Sequence, residues 1–352
     1  MFSLRLTTNH DREKWDSFVA TDPEAGPYHW YAWKRAVEKA YHHKGFYLMA
    51  ENENGDCLGV LPLICIKMPW VRKILVSLPY CDYAGPLGAY EVKKALIDKA
   101  LYLASKEKAY SIEIRFPSKP DFLNESISKN SQVNTHKVRM LRELPLTSSE
   151  LWSEFKPKLR AQIRRPQKEG LKEELGGKEL LNDFYRVFNL NMHRLGSPVH
   201  DRKWFECLLE EYGDKAKVGI VRHKNGVPVA GGILLTVGQK ACVPWASSLR
   251  EYNPIAPNML LYYRFLSWSS ENGYKQFDFG RSTPGEGTYK FKEQWGSFPQ
   301  PLHWFKQEFN GAPKTGIISK SRTRDKMASI WSKLPLQIAS FLGPKLRKYI
   351  SL

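Results

Sequence analysis

The run FDFGRSTPGEGTYKFKEQWGSFPQPLHW, residues 277–304, gathers the residue types that handle a negative charge. A strand ends at Phe279, Gly280 frees the backbone, and Arg281 opens a loop that holds Gly285 and Gly287. Lys290 and Lys292 then alternate with Tyr289 and Phe291, as on a strand whose two faces differ. Exposed amides beside Arg and Lys suit an anionic ligand. A glycine-rich hairpin with solvated charges fits the same letters. Asp278, between Phe277 and Phe279, faces opposite to them, as a proton acceptor or as a structural partner of Arg281. Other constellations are poorer. His42-His43 are adjacent and cannot face one metal from a helix. GxSxG and GxxxxGK[ST] are both missing. Cys57, Cys65, Cys81, Cys207 and Cys242 are odd in number, scattered and without a CxxC, so reduced thiols are expected and no metal site is.

The elements that must position this run repeat along the chain. In the first half, short helices near Trp15–Val19 and His29–Tyr41 precede the hairpin FYLMAE–Asn54-Gly55–CLGVLPLICI. The Asn-Gly turn predicts φ > 0 at both residues. The strand ILVSLPY, the loop DYAGPLGA, a helix from about Glu91 to Lys106 and the strand YSIEIRF follow. That helix carries Val92, Ala95, Leu96, Ala100, Leu101 and Ala104 at helical spacing. In the second half, two helical segments precede KVGIVRH–Asn225-Gly226–VPVAGGILLTV. KACVPWASS, a helix over about Asn258–Glu271 and KQFDFGR complete the order. The two Asn-Gly turns lie 171 residues apart and Tyr110 and Tyr274 lie 164 apart, nearly one period. The reading is α+β: two tandem units with mixed, mainly antiparallel sheets, over residues 1–145 and 146–310.

The chain has 352 residues, 42% hydrophobic and 13% aromatic, enough for two cores. Net charge is +18, from 54 basic and 36 acidic residues. That calls for polyanionic company: nucleic acid, phosphorylated substrates or an anionic membrane face. The N-terminus is charged early and does not read as a signal peptide. No stretch reaches the roughly 18–20 apolar residues of a spanning helix. From 311 to 352 runs a basic amphipathic tail; Lys314–Leu352 holds nine Lys or Arg and one Asp. It is expected either to lie on an anionic inner-membrane surface or to fold back as short helices.

FDFGRSTPGEGTYKFKEQWG closely resembles the C-terminal signature of FemAB-like proteins, nearest the branch found beside exopolysaccharide and PEP-CTERM sorting systems. LRAQIRRPQKEG and MHRLGSPVHDRKWF resemble that family's Arg-rich helix and the segment after it, so the likeness covers about residues 5–310. It implies a tandem GNAT fold and an acyl or aminoacyl transferase. Its substrate would be a nucleotide- or lipid-linked glycan or peptide in peptidoglycan or exopolysaccharide assembly. By motif, the phosphate-binding, transition-state-stabilising lysine falls on Lys292. A second phosphate-contacting lysine falls on Lys34 and a substrate-contacting arginine on Arg194. Arg160, Arg164, Arg281, Tyr289, Lys290 and Trp295 complete the expected substrate-binding set, and Lys292 with Asp278 the catalytic one. Peptidoglycan-bridge members carry an aspartate shortly after a Gly-Pro; here Gly88 and Ala89 follow Gly85-Pro86. That points to a different amine or hydroxyl acceptor.

Aminolysis of an ester or thioester asks for a proton acceptor and for charge near the developing oxyanion, which Lys or Arg supplies. No cofactor is expected. The acyl donor is aminoacyl-tRNA or, as the alternative, acetyl-CoA. GNAT enzymes hold the CoA pyrophosphate on a [QR]xxGx[GA] loop at a helix start. DYAGPLGA and SLREYNPIAPN stand in that place, and neither matches. A non-catalytic binder of RNA or membrane is the remaining reading. The expected setting is a cytoplasmic monomer, peripheral at the inner membrane face.

Overall fold

A computed structural model describes residues 1–68, 72–120, 131–309 and 325–352. The polar stretch SKPDFLNESISKNSQ lies partly outside these residues, and its last two, Ser131 and Gln132, open a short strand over Ser131–Asn134. In the first half, α1 (Arg12–Thr21) and α2 (Tyr31–Tyr41) precede the hairpin β3 (Leu48–Asn52) and β4 (Cys57–Leu61). β5 (Ile64–Lys67), β6 (Lys73–Val76), α3 (Tyr90–Lys106) and β8 (Ser111–Phe116) follow. In the second half, α4 (Ser148–Glu154), α5 (Pro157–Lys168), α6 (Leu181–Arg194) and α7 (Arg202–Tyr212) precede the hairpin β12 (Ala216–Arg222) and β13 (Pro228–Val237). β14 (Lys240–Ser248), α8 (Pro257–Glu271) and β15 (Gln276–Ser282) then repeat the first-half order.

Among the described residues the pairings are antiparallel except two. β6 runs parallel to β8 across α3, and β14 runs parallel to β15 across α8. A parallel pair needs a long crossover, and each helix supplies it. The hairpins match as well, with one change from expectation. Only the glycines, Gly55 (φ 81°) and Gly226 (φ 84°), have positive φ; Asn54 and Asn225 do not. In each turn the glycine N–H donates three residues back, to Asn52 or His223. That residue's own N–H in turn donates to the carbonyl of Asp56 or Val227. Each hairpin also carries a register shift near the turn. Both are three-residue loops closed by a glycine bulge rather than two-residue turns.

Strands are exchanged across residue 145. β10 (Val138–Glu143) lies between β15 and β16 (Phe298–Pro301) in the seven-stranded second-half sheet. β17 (His303–Glu308) returns to pair with β8 in the first half. One core lies under α8 around Phe265, Phe277 and Trp295, and another packs α3 against β8. A third joins the halves with aromatic rings. Trp33 packs edge-on to Trp204 (5.2 Å) and stacks on Trp245 (6.0 Å), and Tyr41 stacks on Trp204 (5.7 Å). Much of the aromatic excess therefore cements the two units together.

The tail folds back. α10 (Leu336–Arg347) packs Ala339 and Gly343 inward, with Asn189 Nδ2 on Ser340 Oγ at 2.8 Å and His193 Nε2 on the Leu334 carbonyl at 2.8 Å. Its end reaches the first half, where Tyr80 donates through N–H to Ser351 O and through its hydroxyl to Lys348 O, both at 2.6 Å.

Candidate active site

β15 builds the centre of the site. Phe277 and Phe279 turn into the second-half core, which aims Asp278 at the junction of the halves. Opposite Met140 of β10 the strand holds both Phe279 and Gly280, because Leu141 pairs with Asp278 and Arg139 with Arg281. Gly280, at φ 75°, makes this a glycine bulge, a device that re-aims side chains. A Cβ there would stand 3.2 Å from Val243 O, 3.6 Å from Asp82 Oδ2 and 3.9 Å from Lys292 Nζ. The glycine is what lets these groups close around the strand end.

Lys290 and Lys292 do not lie on a strand. Residues Gly287–Glu293 form a short helix, α9. On a strand two residues apart share a face; on a helix they sit about 200° apart. Lys292 therefore turns inward, 8% exposed, while Lys290 is exposed on the other side. The motif's Trp-Gly fixes this helix. Trp295 is fully buried against Phe155, Tyr262, Phe279 and Phe291. Gly296, at φ 80°, lies under the Arg142 guanidinium, which bonds the Trp295 carbonyl. Trp295 is thus placed as a core brace, and Tyr289 packs partly buried against the same core.

The Lys292 ammonium donates to the carbonyls of Gly280 (2.9 Å) and Arg281 (2.8 Å). An ammonium has three N–H bonds, and the third has no partner among the described residues. Burial pushes its pKa down to about 8, against the pull of Asp82 and Asp278. Asp278 is raised by its burial, which outweighs nearby Arg139. Its Oδ1 accepts from Gly280 N–H at 2.7 Å, whereas Oδ2 is buried without a hydrogen bond, 3.7 Å from Arg139 Nη1. Arg281 does not pair with Asp278. Its backbone N–H donates to Asp82 Oδ2 at 3.0 Å and its Nε lies 3.6 Å from Asp82 Oδ1. Burial also raises the pKa of Tyr28, Tyr83 and Cys242, so no thiolate nucleophile is offered here.

Asp82 and Arg139 were not singled out by sequence reasoning. Asp82 is held by Trp304 of β17, whose indole N–H donates to its carbonyl at 2.9 Å. The available signal was that Asp82 is the one acid in the otherwise uncharged run Ser77–Tyr90. Arg139 looked like any charge on a strand, and only the strand exchange brings it to Asp278.

The remaining candidates lie elsewhere. Lys290 lines a cleft of about 380 Å³ with Lys156, Lys158 and Gln162, between α5 and α9. Arg160 and Arg164 are on α5, Arg164 over the Trp152 ring at 5.1 Å. Lys34 bonds Glu38 at 3.0 Å and sits over Tyr31 at 4.9 Å, with its described contacts inside the first half. Arg194 is exposed and bonds Asn191 at 2.8 Å. The structure thus brings Lys292, Asp278 and Arg281 together and leaves Lys34, Arg160, Arg164 and Arg194 outside that cluster. Among the described residues no group of His, Cys, Asp or Glu is placed to hold a metal.

The two places where a GNAT unit would hold a pyrophosphate fit it poorly. Ahead of α3, the Gly88 N–H is taken by the Asp22 carboxylate at 3.1 Å, and residues 83–87 are buried. Ahead of α8, Pro257 has no N–H and Met259 N–H already bonds Ala256 O.

The fold has tandem GNAT architecture. The model of the acetyltransferase (GNAT) domain family matches residues 157–293. A Lipid II:glycine glycyltransferase from Staphylococcus haemolyticus (strain JCSC1435) is 22% identical, covering 71% of this chain and 80% of its own. The crystal structure of FemX superposes with a TM-score of 0.68 at 18% identity, over 88% of this chain and 98% of that one. A tandem GNAT protein from the clavulanic acid biosynthesis pathway gives 0.55 at 12% identity, over 89% and 100%. These likenesses run along most of the chain and agree with the resemblance of its DFGRST–FK–WG run to FemAB-like proteins.

Proposed function

We propose that this acyltransferase moves an aminoacyl group from charged tRNA to an amine on a nucleotide- or lipid-linked peptide or glycan. It acts as a cytoplasmic monomer. The observation that carries the reading is the Lys292 ammonium, buried between two carboxylates with one N–H left for a ligand oxygen. In the reaction, the acceptor nitrogen attacks the ester carbonyl carbon and the carbonyl oxygen becomes negative. Lys292 donates its third hydrogen bond there, where a preorganised charge counts most. The amine's proton passes to Asp278 Oδ2, whose burial favours the protonated form. Collapse of the intermediate then breaks the bond to the ribose oxygen, which takes a proton and leaves. The relatives named for glycyl transfer to lipid II support an aminoacyl donor. An exopolysaccharide amine or hydroxyl is the acceptor suggested by Gly88 and Ala89, and both acceptor classes are to be offered.

Thermal unfolding with and without acetyl-CoA tests the donor. A donor at 100 times its dissociation constant stabilises the native state by about 2.7 kcal/mol. No shift at millimolar acetyl-CoA is the expected result. A saturable rise would assign the chain to CoA-dependent transfer instead.

A further inference from the structure

Large exposed apolar side chains cluster in one region of the described structure. Met327, Ile330, Ile338, Phe341, Leu342, Leu346 and Ile350 are all exposed within the last 26 residues of the chain. The rest of the described chain scatters its own singly, as ordinary surfaces do. α10 is two-faced in an unusual sense. Its small residues, Ala339 and Gly343, lie against the protein, and Gly343 lies so close to Val199 that a Cβ would meet its backbone N at 3.0 Å. Beside them the helix exposes Ile338, Phe341, Leu342 and Leu346, at helical spacing i, i+3, i+4 and i+8. Phe341 is 65% exposed and Leu346 47%. A helix anchored by small residues normally shows mainly polar residues to solvent; this one also exposes its largest hydrophobes.

The charge around this face states what covers it. From Asp325 to Leu352 the cations are Lys326, Lys333, Lys345, Arg347 and Lys348, against Asp325 alone. Lys345 Nζ stands 3.5 Å over the Phe341 ring, a cation held at the edge of the apolar strip. Apolar residues that enter an acyl layer, with lysines at headgroup level, are the signature of an interfacial helix. No described helix is long and apolar enough to cross a membrane.

We propose that the outer face of α10 and the preceding helical residues 325–331 dock the enzyme on an anionic lipid surface. The helix is already braced on α6, and the chain end is tied to Tyr80 and Arg115 of the first half. Docking therefore orients the whole two-unit body and needs no folding on contact, which lowers its entropic cost. This proposal is independent of donor and acceptor, and its test does not use activity.

Flotation of the full chain with vesicles tests it. One set is phosphatidylcholine alone; the other holds one part phosphatidylglycerol to two of phosphatidylcholine. The wild type is expected to float with the anionic set, less so at high salt, and not with the neutral one. Phe341→Asp with Leu346→Asp should weaken partitioning by about tenfold or more, at an unchanged melting temperature. Lys333→Glu with Lys345→Glu keeps the apolar strip and should weaken it as well, which guards against misfolding of the first variant. Three results would overturn the proposal: no flotation with either set, equal flotation of wild type and both variants, or a wild-type dimer that ignores vesicles and is split by the Asp variant. The last would show a second copy covering this face.

Discussion

Each half buries a basic side chain beside the loop that carries Asp82, and the two are treated oppositely. Arg115 on β8 is 1% exposed, and each guanidinium nitrogen is bonded: Nε to Glu113, Nη1 to the Leu78 and Cys81 carbonyls, Nη2 to Ser351 Oγ. Lys292, after β15, is nearly as deep, yet among the described residues it has two carbonyl partners, a third N–H without one, and two carboxylates it does not bond. A saturated buried cation is part of the framework. An unsaturated one, depressed in pKa and faced by an acid with an unbonded oxygen, is the group we propose meets the ligand. The duplicated plan sharpens the contrast: Arg115 lies on the strand that follows the first long helix, and Lys292 on the short helix α9 that comes after the strand following the second.

Substitutions break this comparison in order of expected effect. Lys292→Ala should reduce transfer by about a hundred- to a thousandfold, as loss of one oxyanion donor does, with far less change in melting temperature. Arg115→Ala should do the reverse. Removing one partner of a buried ionic network costs about 3 kcal/mol or more, read by denaturant unfolding, while activity per folded molecule persists. Equal activity losses in both would erase the distinction.

The pH profile sharpens it. Lys292 is charged below about 8, so transfer should decline above that value. Asp82→Asn removes the largest charge holding that pKa up and should move the decline to lower pH. Between about 8 and the ordinary 10.5 the unfolded chain holds the proton that the folded lysine has released. Stability should therefore rise with pH across that window, since the unfolded state binds more protons. The Lys292→Ala protein should lack that rise in a stability-versus-pH series. The smallest effect belongs to the aromatic seam. Tyr41→Phe removes a 2.8 Å bond to His200 Nδ1 and should cost about 1–2 kcal/mol without touching the reaction.

The repeat, the hairpins and the two long helices were legible because periodicity and Asn-Gly turns are local signals. Turn type was not, since Asn-Gly serves both a two-residue turn and a glycine bulge, and the choice depends on the strand register. α9 was misread as a strand because seven residues hold only two turns of pattern, and Tyr-Lys-Phe-Lys alternates at the strand period. The strand exchange had no local trace at all. With it went Arg139, Trp304 and the meaning of Asp82, which become a site only when β10 and β17 cross between the units. The motif residues Lys292, Asp278 and Arg281 could be named from sequence; which acid each one meets could not. Arg281 was offered Asp278 and found Asp82.

The most direct test is single-turnover transfer of a labelled amino acid from charged tRNA to a nucleotide-linked muramyl peptide and to an exopolysaccharide amine, with wild type and Lys292→Ala side by side. Label should move to one acceptor with the wild type and fall by about a hundredfold or more with the variant. Transfer that survives unchanged in Lys292→Ala, or that requires acetyl-CoA in place of charged tRNA, would contradict the account.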